Sequence, residues 1–152
     1  MILNRQRGIR VPAQELEKFL ARARRALRLP SDAVTVCLVS NSEIARWNRA
    51  YRRKSGPTDV LSFPVDEAER KNGSRGRKRP HALPCSGSYL GDIAIAPAVA
   101  RRNALRFGRT FSEEMRILIL HGMLHLMGYD HETDTGQMDR RERQLRRDLG
   151  LA

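Results

Sequence analysis

Three of the chain's four histidines lie within the eleven residues HGMLHLMGYDH, from His121 to His131. Their spacing is H-x3-H-x5-H, with Gly128 in the second gap. Two histidines four residues apart on a helix project from one face, about 40° apart, and so form a bidentate clasp. A glycine permits the chain to reverse after the helix, which brings His131 within reach of the same point. The spacing therefore predicts one metal ion held by His121, His125 and His131.

Three neutral imidazoles leave a divalent ion with its charge intact and with one position open for water, which is typical of a catalytic zinc site. Water held in this way has its pKa lowered to about 7. Zinc is the ion we expect, with one ion per chain, although imidazole ligands also suit nickel. The alternative is that the histidines are satisfied core residues, a common role for a single buried histidine that explains three at this spacing poorly.

The residue after the first histidine separates this pattern from that of zinc endopeptidases. Those enzymes share the spacing H-x-x-x-H-x-x-G-x-x-H but carry a glutamate, which acts as the base, directly after the first histidine. Here that position is Gly122, which cannot accept a proton from water. Peptide hydrolysis by that mechanism is therefore disfavoured.

The charge of the chain points to a polyanionic partner. There are 29 Lys and Arg residues against 17 Asp and Glu residues, a formal net charge of +12. Such a balance favours nucleic acid first and an anionic membrane second, and a solvated basic surface is the alternative. Arg52, in the segment YRRKSGPTDVLSFP, could hold a phosphate and stabilise the charge that develops during phosphoryl transfer. The alternative is an ordinary surface arginine in an arginine-rich chain. One Trp, three Tyr and four Phe residues are too few for a sheet that reads bases by stacking.

The rest of the chain must position these residues, and its pattern predicts an α+β fold. We expect a small mixed β-sheet packed with helices, with the zinc site on a central helix and the turn that follows it. The run MRILILHGMLHLM is apolar nearly all round, as a central buried helix requires. Apolar periodicity and capping residues predict strands at 2–3, 34–39, 59–63 and 89–96, and helices that begin at Pro12, Ser40, Pro97, Thr110 and Thr133 or Asp134.

At 152 residues the chain is expected to form a single domain, 1–152, that buries about 70% of the surface of its unfolded form. Residues 66–88 are polar, basic and rich in turn formers, which predicts a basic loop insertion that either touches RNA or is simply solvated. His81 and Cys85 lie within it and are too few for a second metal site. The chain shows no disulfide framework, signal peptide or apolar run of membrane-spanning length. We therefore expect a soluble cytoplasmic protein without membrane contact.

The motif HGMLHLMGYDH, with YRRKSGPTDVLSFP and LGDIAIA, resembles the signature of the YbeY family of bacterial metal-dependent endoribonucleases. The resemblance runs in register from about Asn48 to Asp134, and the segment 66–88 is longer and more basic than the family pattern. It implies a zinc site in a basic cleft, maturation of the 16S rRNA 3′ end, a preference for single-stranded RNA, and quality control of defective ribosomes. The implied partners are rRNA, the small ribosomal subunit, the GTPase Era and a small-subunit ribosomal protein. The implied catalytic residues are the three metal ligands and a cleft arginine: His121, His125, His131 and Arg52.

The leading hypothesis is a metal-dependent endoribonuclease in which hydroxide or an activated 2′-OH attacks the phosphodiester while Arg52 holds the phosphate. One alternative is an RNA-binding ribosome assembly factor whose metal only organises the site, which the charge and Gly122 also support. Another is a metallohydrolase of peptides or small molecules, supported only by the histidine spacing. Asp130 has two predicted roles, orienting a ligand histidine or capping a turn.

Overall fold

The computed structural model describes residues 1–65, 89–130 and 132–151. The predicted insertion 66–88 and the predicted ligand His131 lie outside these described residues. Within them, in chain order, the elements are β1 Ile2–Asn4, α1 Ala13–Ala26, β2 Val34–Leu38, α2 Asn41–Arg52, β3 Val60–Pro64, β4 Gly91–Ile95, α3 Pro97–Phe107, α4 Phe111–Leu126 and α5 Gln137–Asp148. This arrangement confirms the predicted α+β class. No helix in the described ranges is long and apolar enough to span a membrane.

The four strands form one mixed sheet in the order β1-β2-β4-β3. Strands β1, β2 and β4 are parallel, and β3 runs antiparallel to β4 at the edge. Every residue of β2 and β4 is buried, as expected for strands covered on both faces. The third strand was predicted to span 59–63, but it ends one residue later at Pro64, which pairs with Gly91. A proline is tolerated there because an edge strand has one side without a partner.

Successive strand residues point to opposite sides of the sheet, so each face carries apolar side chains. Helices pack on both faces. On one face α1, α4 and α5 build the larger core over Val36 and Ile93. On the other face α2 packs through Ile44 over Cys37 and Ala94. Most residues of α4 are buried, so it is the central helix that its apolar sequence predicts.

The starts of α2 and α4 follow the capping signals of the sequence. Thr110 forms a complete capping box with Glu113: the Thr110 hydroxyl accepts from the Glu113 N–H, and the Glu113 carboxylate accepts from the Thr110 N–H. Ser40 likewise accepts from the N–H of Glu43 at 3.2 Å. The Glu43 carboxylate, however, does not return the bond and pairs with Arg5 at 2.9 Å. Both predicted starts are confirmed, with the full box only at α4.

The last helix begins later than the sequence predicts. Its N-cap residue is Gly136 and not Thr133 or Asp134, and Gly136 has a left-handed φ of 99°. The Asp134 carboxylate nevertheless accepts hydrogen bonds from the N–H groups of Gly136 at 2.8 Å and Met138 at 2.9 Å. Asp134 therefore satisfies the donors at the helix start from outside it, where a negative charge also complements the helix dipole.

Candidate metal centre

His121 and His125 lie on the last turns of α4 and are both partly buried. Their Nε2 atoms are 3.1 Å apart. The ring centroids are 4.6 Å apart and the ring planes meet at 77°. The two rings thus direct the same nitrogen towards one point, as the spacing of four residues predicts.

The separation of the two nitrogens fits a shared zinc ion. Two imidazole nitrogens at about 2.0–2.1 Å from one tetrahedral zinc ion are about 3.3 Å apart. The observed 3.1 Å between His121 Nε2 and His125 Nε2 is close to that value. Imidazole nitrogen is also a preferred zinc ligand. No group of three or more His, Cys, Asp or Glu side chains suited to a metal is found within the ranges that the structure describes, which exclude His131.

The Glu142 carboxylate lies beside His121, on the side of the ring away from His125. Helix α5 packs against α4 and places Glu142 Oε1 3.6 Å from His121 Nδ1, the ring nitrogen that does not face His125. The same oxygen is 3.4 Å from a terminal nitrogen of Arg146. Burial raises the pKa of Glu142, but the interaction with His121 and the charge of Arg146 together outweigh it and hold that pKa below its usual value. The carboxylate is therefore charged at neutral pH.

The spacing of the histidines does not reveal Glu142, although the sequence carries another signal for it. Glu142 lies four residues after Met138 and three before Leu145, on the buried stripe of α5. Only 9% of Glu142 is exposed. Glutamate is seldom buried unless it is paired. Its place on the apolar stripe of α5 therefore predicts a charged or hydrogen-bonding partner.

The turn after α4 is built by Gly128 and Asp130. Gly128 has a φ of 97°, a left-handed conformation that reverses the chain after α4 as the sequence predicts. The Asp130 carboxylate accepts from the N–H of Glu132 at 3.0 Å. The Asp130 carbonyl accepts from the N–H of Asp134, also at 3.0 Å. Of the two roles predicted for Asp130, these contacts show the capping of a turn.

Gly122, the position of the endopeptidase glutamate, faces the sheet. A Cβ atom there would lie 2.8 Å from Cγ2 and 2.9 Å from Cδ1 of Ile93. The Gly122 carbonyl accepts a hydrogen bond from Ser62 Oγ at 3.2 Å. Close contact between α4 and strands β3 and β4 thus favours glycine at this position, and a catalytic base cannot be placed there without displacing Ile93.

Arg52 is the exposed last residue of α2, on the opposite face of the sheet from α4. Neighbouring Tyr51 packs edge-on against Phe63, with ring centroids 5.4 Å apart. Phe63 lies at the end of β3 that pairs with the start of β4. Arg52 therefore lies at this end of the sheet.

The C-terminal end of α4 reaches the same end of the sheet. A Cβ atom on Gly91, the first residue of β4, would lie 2.9 Å from Leu126 Cδ2. Arg52 and His125 therefore approach one end of the sheet from opposite faces. The structure brings His121 and His125 together, and a catalytic role of Arg52 stays a prediction.

Fold and site together define an α+β protein with a histidine pair at the end of its central helix. The family model described as Endoribonuclease YbeY matches residues 1–150, and the chain belongs to this family of endoribonucleases. It is 40% identical over 151 residues to the Endoribonuclease YbeY of Koribacter versatilis. This alignment covers 99% of this chain and 86% of that protein. The corresponding protein of Aquifex aeolicus is 36% identical over 138 residues, which covers 90% of this chain and 80% of that protein.

A solved structure has a similar fold. The solution structure of a Thermotoga maritima protein has a TM-score of 0.59 and 28% sequence identity to this chain, and the match covers 98% of this chain and 89% of that one. The family resemblance of the three sequence motifs is therefore confirmed. The chain is an endoribonuclease by family, a hydrolase that acts on RNA.

Proposed function

We propose that this chain is a zinc-dependent endoribonuclease that prefers single-stranded RNA. In this proposal it acts in maturation of the 16S rRNA 3′ end and in ribosome quality control. The observation that carries the proposal is the convergence of His121 Nε2 and His125 Nε2, 3.1 Å apart, in a member of the YbeY family. His131 would supply the third ligand, as the sequence spacing predicts, and would leave a position open for water.

The chain's own residues provide binding and charge. Zinc, when bound, supplies a Lewis acid that lowers the pKa of water and polarises a phosphoryl oxygen. His121 and His125 hold it with neutral nitrogens that leave its positive charge undiminished. Arg52, exposed at the same end of the sheet, holds the phosphate and stabilises the negative charge that develops on it. Gly122 offers no general base, which separates this reaction from peptide hydrolysis.

Surface charge supports RNA as the substrate. Helix α5, which packs beside the histidines, exposes arginines at three positions, Arg140, Arg143 and Arg147. The net charge of +12 favours binding driven by phosphate contacts and therefore weakened by salt. We propose rRNA within the small ribosomal subunit as the partner, with the GTPase Era and a small-subunit ribosomal protein as further partners, and the cytoplasm as the location. The basic segment 66–88 adds to this charge in the sequence.

The role of Arg52 gives the proposal a direct test. Cleavage of an end-labelled precursor spanning the 16S rRNA 3′ end would be measured for the zinc-loaded wild type, Arg52→Ala and Arg49→Ala. Arg49 is an exposed arginine one turn earlier on α2 and is the matched control. Removing a group that stabilises transition-state charge costs about 100-fold or more in rate, so Arg52→Ala is expected to lose that much while Arg49→Ala stays near wild type.

The outcomes separate the competing functions. Equal loss in both arginine variants would indicate general RNA binding and count against a role of Arg52 at the phosphate. A zinc-loaded wild type that binds the precursor without cleaving it would favour the assembly-factor alternative. Products that end in 2′,3′-cyclic phosphate would identify the 2′-OH as the nucleophile.

A further inference from the structure

We infer that Glu142 is a positioning residue of the candidate metal centre. It holds His121 in the tautomer and orientation that turn Nε2 towards the metal ion. The inference rests on the proposed function, because it concerns the same site. It adds a residue on α5 to the histidine pair on α4.

The two ring nitrogens of His121 have different surroundings. Nδ1 lies 3.6 Å from Glu142 Oε1, and Nε2 lies 3.1 Å from His125 Nε2. A neutral imidazole carries one N–H group, and a carboxylate can only accept a hydrogen bond. Although 3.6 Å is long for a hydrogen bond, the negative charge at that distance favours a proton on Nδ1. The lone pair is then on Nε2, where a metal ligand needs it.

A purely structural role does not account for the burial of Glu142. Helix α5 contains two acid–arginine pairs four residues apart, Asp139 with Arg143 and Glu142 with Arg146. The Asp139 pair is exposed, with 56% and 64% of the two side chains accessible, whereas only 11% of the Glu142 side chain is accessible. An exposed pair of this kind stabilises a helix only slightly, whereas taking a carboxylate out of water is unfavourable unless the carboxylate gains partners. The contact with His121 is what distinguishes the buried pair.

The expected consequence is on metal affinity. A carboxylate behind a ligand histidine fixes the ring and makes its other nitrogen a better donor, and loss of such a partner typically costs about 10–100-fold in metal affinity. Glu142→Gln keeps the shape and an acceptor oxygen but loses the charge. Glu142→Ala removes both. Asp139→Asn removes one negative charge from an acid–arginine pair on the same helix, away from the histidine, and is the matched control.

Two measurements on the full chain test the inference. In the metal-free protein, ¹⁵N chemical shifts of the imidazole nitrogens report the tautomer of His121, and thermal melts confirm that each variant is folded. In competition with a chelator, the zinc dissociation constant is measured for each variant. We expect His121 protonated on Nδ1 in the wild type and in Asp139→Asn, with equal zinc affinities. We expect Glu142→Gln to lose this preference and to bind zinc about 10–100-fold more weakly, with Glu142→Ala affected at least as much.

Failure of the Glu142 inference and failure of the proposed metal site would give different results. Wild-type affinity and an unchanged His121 tautomer in Glu142→Gln would overturn the inference alone. An equal loss of affinity in Asp139→Asn would also overturn it, because the effect would then be one of helix charge. A wild-type chain that binds no zinc would overturn the proposed metal site itself. If Glu142→Ala does not fold, Glu142→Gln still decides the question.

Discussion

Replacing Gly122 by alanine tests the closest approach of the central helix to the sheet. The new Cβ atom would lie 2.8–3.0 Å from three carbon atoms of Ile93. Ile93 is β-branched and fully buried in the middle of β4, so it cannot turn aside without a further clash. Alanine favours a helix over glycine by about 1 kcal/mol, whereas overpacking a filled core costs about 1–3 kcal/mol. Because three contacts are short, we take the upper part of that range and expect a net loss of about 1–2 kcal/mol in the free energy of unfolding.

The sign of this effect should reverse when the obstacle is removed. Ile93→Ala deletes all three of the atoms that the new Cβ would meet and should itself cost about 2–5 kcal/mol. In that background Gly122→Ala meets no obstacle, keeps the helix preference of alanine and fills part of the cavity. We therefore expect it to raise the free energy of unfolding by about 1 kcal/mol.

The measurement is urea denaturation of the metal-free wild type, the two single variants and the double variant, followed by far-UV circular dichroism. The expected coupling free energy between the two positions is about 2–3 kcal/mol. An increase in stability from Gly122→Ala in the wild-type background would refute the close approach. The same effect in both backgrounds would refute Ile93 as its cause.

Two further predictions concern the cap of α4 and the thiol of β2. Thr110→Ala should lower the free energy of unfolding by about 1 kcal/mol, because the capping hydrogen bond is lost. The exposed control Thr135→Ala should change that free energy by less than about 0.5 kcal/mol. Both values are measured by urea denaturation. Equal losses would contradict the capping role. Burial, assisted by the charge of Asp92, raises the pKa of Cys37 from 9.0 to about 12. As pH rises, the unfolded chain therefore loses the Cys37 proton before the folded chain does. The free energy of unfolding should fall between about pH 9 and pH 12. A Cys37→Ala variant that shows the same decline would refute this reasoning.

Sequence reasoning succeeded where the signal is local. The capping box at Thr110, the left-handed Gly128 and the helical spacing of His121 and His125 depend on residues within a few positions of one another. The all-round apolar sequence of α4 also predicted its central place in the fold. The histidine pair was therefore found before any tertiary contact was known.

The contacts that sequence reasoning missed are made between elements far apart in the chain. Glu142 reaches His121 only because α5 packs against α4, and spacing within one motif carries no information about that packing. The sequence showed that Gly122 removes a base, but its close approach to Ile93 depends on the distance between α4 and the sheet. Strand order is likewise set by pairing between distant segments, which placed Pro64 in an edge strand where it is tolerated. The role of Arg52, the third ligand His131 and the insertion 66–88 stay predictions.

The most direct test is whether RNA cleavage requires the histidine site. End-labelled precursor RNA spanning the 16S rRNA 3′ end would be incubated with zinc-loaded wild type and with His125→Ala, purified identically and shown to be folded by circular dichroism. If the chain is a metal-dependent endoribonuclease, the wild type will cleave the RNA specifically, a chelator will abolish cleavage and added zinc will restore it. His125→Ala will not cleave the RNA. Equal cleavage by the two proteins would show that the reaction does not need this site and would contradict the proposed function.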